Sequence, residues 1–173
     1  MIWSHLSKNL SINRPSETRQ GFFGNASNAI IKNVGLENVD IISNEYTAGL
    51  LAGTGSNASI TNCYVTGKLK GRAYISGLAS NLRGTVEACY TNVSISVPTG
   101  SNGGLIGRFK GGSIKNSYSE GNMYGMHSGM SGGFIGEIDN AVVENCYSSV
   151  TSSSFYYGFA CEADSASTIL NSY

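Results

Sequence analysis

Four carboxylates in the last quarter of the sequence are the strongest candidates for chemistry. Glu137 and Asp139 are two residues apart, and Glu162 and Asp164 repeat this spacing further along the chain. Residues i and i+2 of a strand share one face, so two adjacent strands would bring all four carboxylates together. Because Ca²⁺ prefers several carboxylate oxygens, these residues form a candidate calcium site.

Two other interpretations of this cluster stay open. Arg108 and Lys110 have the same two-residue spacing and precede Glu137 and Asp139 in the chain. They could pair with them as a solvated charge ladder, each exposed pair contributing about 0–1 kcal/mol. Carboxyl groups about 5–9 Å apart would also suit a glycosidase. On the face that carries these acids we expect no aromatic subsite walls close in sequence, so we favour the charge ladder and predict no catalytic residue.

Tyrosines that recur along the chain form a second candidate site. They are Tyr64, Tyr90, Tyr118, Tyr147 and Tyr173. Tyrosine combines an apolar ring with a polar tip, so a strip of tyrosines could stack on sugar rings or anchor a protein partner. The first four are therefore a possible ligand-contact ladder. The competing interpretation, which we favour, is mutual ring stacking that stiffens the fold.

Cysteine, histidine and methionine offer weaker candidates. No CxxC or HExxH pattern occurs, so a structural zinc site is not expected. Cys63 and Cys89 could come within disulfide range, but we expect free thiols. One segment is rich in soft ligands, and we interpret it as a surface loop rather than a metal site; its residues are Met123, Met126, His127 and Met130. We therefore predict no cofactor, with Ca²⁺ as the one alternative.

A two-block repeat runs through the sequence and must position all of these residues. The first block, as in Gly104-Leu-Ile-Gly107, recurs six times at a period of about 25–29 residues. The second block, as in Ile114-Lys-Asn-Ser-Tyr118, follows each first block about ten residues later. The apolar runs are short and are broken by Gly, Asn and Ser, which favours strands over helices. A repeat this short must stack on its neighbours to bury its apolar face.

The repeat predicts an all-β fold, a parallel β-helix (β-solenoid) of about six coils. We expect it to be right-handed, although the repeat itself does not determine the handedness. Equivalent residues of successive coils would lie about 4.8 Å apart and form columns. One predicted apolar column is Ala26, Thr54, Leu82, Phe109, Ile138 and Ala163. A polar column, with Ala88 as its one gap, is Asn33, Asn62, Asn116, Asn145 and Asn171.

Composition sets limits on the partners. Eleven basic and eleven acidic residues balance, so neither a nucleic-acid nor an anionic-membrane partner is indicated. No apolar run approaches the length of a membrane-spanning helix. The first twenty residues do not show the pattern of a signal peptide, so targeting signals do not give the localisation.

The paired blocks resemble the GLUG-motif repeats of bacterial surface and adhesin-like proteins. In that family a Gly-Leu-Val-Gly-like block precedes an Ile-x-Asn-Cys-Tyr-x-x-Gly block, and the segment from Gly104 to Gly121 matches this order closely. The resemblance covers residues 21–173. It implies an extracellular or cell-surface setting in which the repeats serve as stalks or adhesive modules and are not catalytic. A carbohydrate-active β-helix, binding or degrading a polysaccharide, is the alternative.

The ends of the sequence fall within repeats. Residues 1–20 read as the tail of a preceding coil, and Ile2, Trp3, Leu6 and Leu10 could act as an N-terminal lid. Residues 21–173 read as GLUG-like coils, the last one truncated, so we expect a fragment of a longer array. The partners expected are adjacent repeats or domains of a longer chain, a host protein or glycan, and a second copy in end-to-end self-association.

Overall fold

The computed structural model of the protein describes residues 5–125, 129–153 and 158–173. These residues form twenty short strands and no helix. The expected methionine-rich loop falls partly outside the described residues, since Met126 and His127 are not among them. The same holds for Ile2 and Trp3 of the expected lid.

The strands form three sheets. The first contains β1 His5–Lys8, β2 Ser11–Arg14, β5 Val34–Ser43, β8 Tyr64–Lys70, β11 Tyr90–Ser96, β14 Tyr118–Tyr124, β17 Tyr147–Ser148 and β18 Thr151–Ser152. The second contains β3 Ala26–Ser27, β4 Ile30–Lys32, β7 Leu51–Thr61, β10 Ala79–Glu87, β13 Ile106–Lys115, β16 Ile135–Glu144, β19 Ala160–Ala163 and β20 Thr168–Leu170. The third contains β6 Glu45–Ala48, β9 Ala73–Ser76, β12 Asn102–Gly103 and β15 Ser131–Gly132.

Each strand pairs in parallel with the equivalent strand one repeat later. Tyr90 is opposite Tyr118 in the first sheet, and Val86 is opposite Ile114 in the second. One coil therefore visits the second, first and third sheets in turn before the next coil begins. The chain is a parallel β-solenoid of about six turns, as the repeat predicted; its handedness stays a prediction.

The core is a set of apolar columns that run along the solenoid axis. Leu82, Phe109 and Ile138 are consecutive partners in one column and are fully buried. The prediction that Thr54 belongs to this column was wrong. Coil two has one extra residue there, so Gly55 lies opposite Leu82 and Thr54 is exposed. A Cβ atom on Gly55 would lie 2.5 Å from Leu82 Cδ1, because leucine side chains fill that space.

Many corners of the coils are built on asparagine. Of the fourteen described non-glycine residues with positive φ, ten are asparagines. Asparagine enters the left-handed region more readily than other non-glycine residues, which explains its frequency at these turns. The exceptions are Arg19, Tyr46, Tyr74 and Ala88.

The N-terminal residues form half a coil. Strands β1 and β2 both pair with β5, so residues 5–14 extend the first sheet by one layer. A cavity of about 600 Å³ lies between this half-coil and the start of the second sheet, lined by Leu6, Phe22, Phe23 and Ile30 among others. The role of residues 1–20 as a lid stays a prediction.

Candidate functional site

The predicted charge ladder is present on the outer face of the second sheet. Arg108 lies opposite Glu137, with Nε 2.6 Å from Oε2, and Lys110 lies opposite Asp139, with Nζ 3.2 Å from Oδ2. Lys110 also approaches the second carboxylate oxygen of Glu137 at 3.5 Å. Burial raises the pKa of Glu137, but the hydrogen bond and charge of Arg108 outweigh it and hold this pKa below its usual value. These contacts confirm the ion pairs that the spacing predicted.

The structure does not gather the four carboxylates into one cluster. Glu162 lies opposite Glu137, and Asp164 follows the end of β19. Its Oδ1 atom accepts hydrogen bonds from the Asn140 backbone N–H and from the Ser167 hydroxyl, which lower the pKa of Asp164. Within the described ranges, no three His, Cys, Asp or Glu side chains lie close enough to hold a metal ion. The square of carboxylates expected from strand geometry is therefore not formed.

The predicted tyrosine ladder is a continuous stack on the first sheet. Ring centroids of Tyr64, Tyr90, Tyr118 and Tyr147 are 4.9, 5.0 and 4.9 Å apart, with planes within 5° of parallel. Tyr173 continues the stack at 6.0 Å. Each inner ring thus has a neighbouring tyrosine on both faces. Tyr64 is buried and the next three rings are half-buried. Whether the stack contacts a ligand stays a prediction.

The hydroxyl ends of this stack meet a column of polar side chains. Tyr64 donates to Glu37 Oε1 at 2.7 Å, and Tyr147 donates to Glu120 Oε1 at 3.4 Å. Burial, followed by the Glu37 hydrogen bond, raises the pKa of Tyr64. Lys8 pairs with Glu37 at 2.8 Å, so the first carboxylate is shared between a cation and a tyrosine.

Cysteine and serine share one column beside the tyrosines, in the order Cys63, Cys89, Ser117, Cys146 and Ser172. The backbone N–H of Cys63 lies 3.4 Å from Cys89 Sγ, and that of Cys89 donates to Ser117 Oγ at 3.1 Å. The Cys146 N–H does the same to Ser172. Cys89, Ser117 and Ser172 therefore each accept a hydrogen bond from a backbone N–H of the preceding coil, a role that thiol and hydroxyl both fill. The described cysteines are free thiols, as expected.

A second aromatic row, which the sequence analysis missed, lies on two strands of the third sheet, β6 and β9. Tyr46 and Tyr74 stack with centroids 4.7 Å apart and planes 10° from parallel. The guanidinium of Arg19 lies 5.8 Å from the centre of the Tyr46 ring, and that of Arg108 lies 5.2 Å from the Tyr74 ring. Both distances allow cation–π attraction. We call these four residues the tyrosine–arginine row.

A weak sequence pattern marks the two tyrosines of the row. Tyr46 and Tyr74 belong to successive repeats, and each precedes the first glycine of a repeat block by three residues. Ser101 and Met130 hold the same place before Gly104 and Gly133, so the aromatic pattern stops after two coils. Arg108 lies on the second sheet, and its contact with the Tyr74 ring could not be predicted from sequence spacing.

The fold and its columns define the chain as a parallel β-solenoid built from short repeats. The sequence model of the GLUG motif family matches residues 44–70 and 127–153, so GLUG-motif repeats are present in this chain. This match confirms the resemblance carried by the paired blocks.

Comparison with solved structures gives a relative in fold. The crystal structure of a "putative immunoglobulin A1 protease from Bacteroides ovatus" superposes with a TM-score of 0.75 and 24% sequence identity. The match covers 98% of this chain and 57% of the other, so the chain spans little more than half the length of that protein. No curated protein matches the sequence significantly. In the described part of the chain there is no helix of the length and apolarity that a membrane crossing requires.

Proposed function

We propose that this chain is a non-catalytic structural and adhesive module of a bacterial cell-surface or secreted protein. The tyrosine stack carries the proposal, because one uninterrupted column ties successive coils together from Tyr64 to Tyr147. Aromatic pairs of this kind contribute about 0.5–1.5 kcal/mol each beyond the area they bury. Such residues stiffen a rod; they are not arranged around a reacting centre.

The second support is the chemistry of the charge ladder. Glu137, the most enclosed carboxylate of the group, is held by Arg108, Lys110 and the Ser101 hydroxyl. A general acid needs a pKa raised toward neutrality, whereas these contacts lower the pKa of Glu137. The ladder therefore fits a structural role better than an acid–base one.

The comparisons support the setting. GLUG motifs and a fold shared with the Bacteroides ovatus protein both suit a module that spaces or presents other domains. Its partners would be adjacent repeats or domains, a host protein or glycan, or a second copy end to end. A carbohydrate-active β-helix is the alternative, favoured by the polar side chains that flank the tyrosine stack.

Antibody labelling tests the location. Antibodies against the purified chain should label intact cells that express the gene, or detect the protein in the medium. Labelling that appears only after lysis would contradict the proposal.

A reducing-end assay tests the alternative. The purified chain, incubated with a panel of polysaccharides, should release no new reducing ends. Release that Glu137→Gln abolishes, without loss of folding, would make the chain an enzyme.

A further inference from the structure

The two ends of the described solenoid are open on different sheets. At the N-terminal end, β1 and β2 add a layer to the first sheet, whereas β3 and β4 of the second sheet pair with a described strand on one side only. At the C-terminal end, β19 and β20 add a layer to the second sheet, and the first sheet stops one layer earlier, at β17 and β18. Each end therefore has the layer that the other end lacks.

Apolar side chains are exposed at both of these ends. Of the eight large hydrophobic residues exposed in the described part of the chain, six lie there, namely Leu6, Phe22, Ile30, Ile169, Leu170 and Tyr173. Phe22 and Ile169 belong to columns that are fully buried in the middle coils, at Leu105 and Ile114. The cavity of about 600 Å³ beside Phe22 has the place of the missing layer of the second sheet. A further strand layer would bury these side chains.

The columns of one copy can continue into a second copy. Phe134 and Phe159 stack with ring centroids 4.7 Å apart, and Phe22 holds the same position in the first block. Phe159 of one copy would therefore lie against Phe22 of the next. In the same way Ile169, which follows Val143 in its column, would lie opposite Ile31.

The asparagine ladders give the two ends opposite hydrogen-bonding groups. In each described contact between asparagine side chains, the later coil donates to the earlier one, as from Asn62 to Asn33 and from Asn171 to Asn145. The amide N–H groups of Asn33 and the Oδ1 atom of Asn171 form no hydrogen bond within the described residues. A head-to-tail contact would bring this donor to this acceptor, whereas a head-to-head contact would bring two donors together.

The charges of the two ends are also complementary. The first 35 residues contain one acid, Glu17, and four cations, which are Lys8, Arg14, Arg19 and Lys32. After Lys115 the sequence has six acids and no lysine or arginine. Two of these acids, Glu162 and Asp164, are exposed in the last coil. Opposite charges favour an encounter between unlike ends and disfavour one between like ends.

We propose that strands β19 and β20 of one copy bind against β3, β4 and the N-terminal half-coil of a second copy, so that the two copies continue one solenoid. Unpaired strand edges are templates for such pairing. The contact joins unlike surfaces and leaves one end of each kind free, so it should build rods rather than stop at a dimer. Ser172 and Tyr173 hold the positions in the cross-section that His5 and Leu6 hold in the half-coil. These two C-terminal residues must therefore move aside when the copies join.

This inference rests on the proposed structural role and names the surfaces through which a second copy joins. A chain that stays monomeric could still be labelled on intact cells, so the two proposals can fail separately.

Sedimentation velocity of the full chain at rising concentration tests the contact with three variants. Phe22→Lys places a charge at the N-terminal end and Ile169→Lys places one at the C-terminal end, and a charge buried without a partner is costly. Val142→Lys is the matched control, because Val142 is an apolar residue of β16 that is 37% exposed and lies at neither end.

The parent and Val142→Lys should form longer species as the concentration rises. Each end variant alone should associate about tenfold more weakly or not at all, because a buried lysine opposes the contact. An equal mixture of the two end variants should form a heterodimer and stop there, since it offers one intact end of each kind. If an end variant melts early, Ile30→Lys or Leu170→Lys replaces it at a more exposed position of the same end.

Three results would overturn the proposal. The first is a parent that stays monomeric at all concentrations. The second is self-association of either end variant with the strength of the parent, which would indicate contacts between like ends. The third is a chain beginning at His5 that associates while the parent does not, which would show that residues 1–4 of the same chain occupy the cavity.

Discussion

The side-chain amide of Asn62 donates a hydrogen bond to the side-chain carbonyl of Asn33 in the preceding coil, 2.7 Å away. The Oδ1 atom of Asn62 is buried and has no partner among the described residues, because Ala88 occupies the next place in the column. The column resumes in the later coils, where Asn145 donates to Asn116 at 3.4 Å and Asn171 to Asn145 at 3.2 Å. One missing amide thus interrupts an otherwise regular ladder.

Ala88→Asn should therefore stabilise the protein. The new amide can donate to Asn62 Oδ1, and asparagine tolerates the φ of 51° better than alanine. One added hydrogen bond contributes about 0.5–1.5 kcal/mol, so the free energy of unfolding should rise by about 1 kcal/mol. Urea unfolding measures the change. Ala88→Ser is the control, with a smaller side chain, and an equal gain from it would argue against the amide contact.

Leu105 tests the inward columns. It is fully buried, so Leu105→Ala should lower the free energy of unfolding by about 2–5 kcal/mol. Arg83 is exposed, so Arg83→Ala should cost under about 0.5 kcal/mol. Chemical denaturation of both variants gives the comparison, and similar losses at the two positions would mean that the inward face is assigned wrongly.

Glu137 makes stability depend on pH. Its pKa in the folded protein is below the usual value of 4.5, so its stabilising contribution is complete above that value and is lost as the pH falls through the folded pKa. Glu137→Gln should lower stability at neutral pH and flatten the loss on acidification. Glu37 and Asp164 also have lowered pKa values, so the difference between variant and parent is the quantity to measure.

Glu87→Gln is the matched control for this pH experiment. Glu87 is exposed and forms no ion pair within the described residues. The melting temperature of the Glu87→Gln variant should change with pH as that of the parent does, from neutral pH to about pH 3, because the substitution removes no ion pair. If the melting temperatures of the parent, Glu137→Gln and Glu87→Gln all fell equally on acidification, the Arg108–Glu137 pair would not contribute to the pH dependence of stability.

Calcium separates the charge ladder from a metal site. Because Glu137 and Asp139 are already paired with cations, millimolar Ca²⁺ should change the melting temperature little. Mg²⁺ at the same ionic strength is the control for screening. A clear rise with Ca²⁺ that Asp139→Asn and Asp164→Asn abolish would favour the metal site.

The columns could be predicted from the sequence because the repeat places one residue of each coil at the same point in the cross-section. Leu105 and Phe134 stack because both follow the first glycine of a block. The error at Thr54 came from an inserted residue, which a count of intervals between blocks does not locate.

The sites were harder to predict than the columns. The Asp164 carboxylate accepts hydrogen bonds from the Ser167 hydroxyl in its own turn and from the Asn140 N–H in the preceding coil, and strand periodicity does not predict contacts made at a turn. The tyrosine–arginine row combines a short third sheet with an arginine from another sheet. Strands of two to four residues in that sheet carry no period of their own.

Disulfide cross-linking tests the stacked-coil architecture most directly. Ser94 and Asn122 are opposite each other on neighbouring coils. Their Cα atoms should be about 4.8 Å apart, within disulfide range. With Cys161 replaced by serine, Ser94→Cys/Asn122→Cys should form a disulfide under mild oxidation. In the control Ser94→Cys/Glu120→Cys, the second cysteine is two residues out of register. Its Cα atom should be about 8 Å from that of residue 94, so this pair should not form a disulfide. Cross-linking of the second pair in preference to the first would contradict the in-register solenoid.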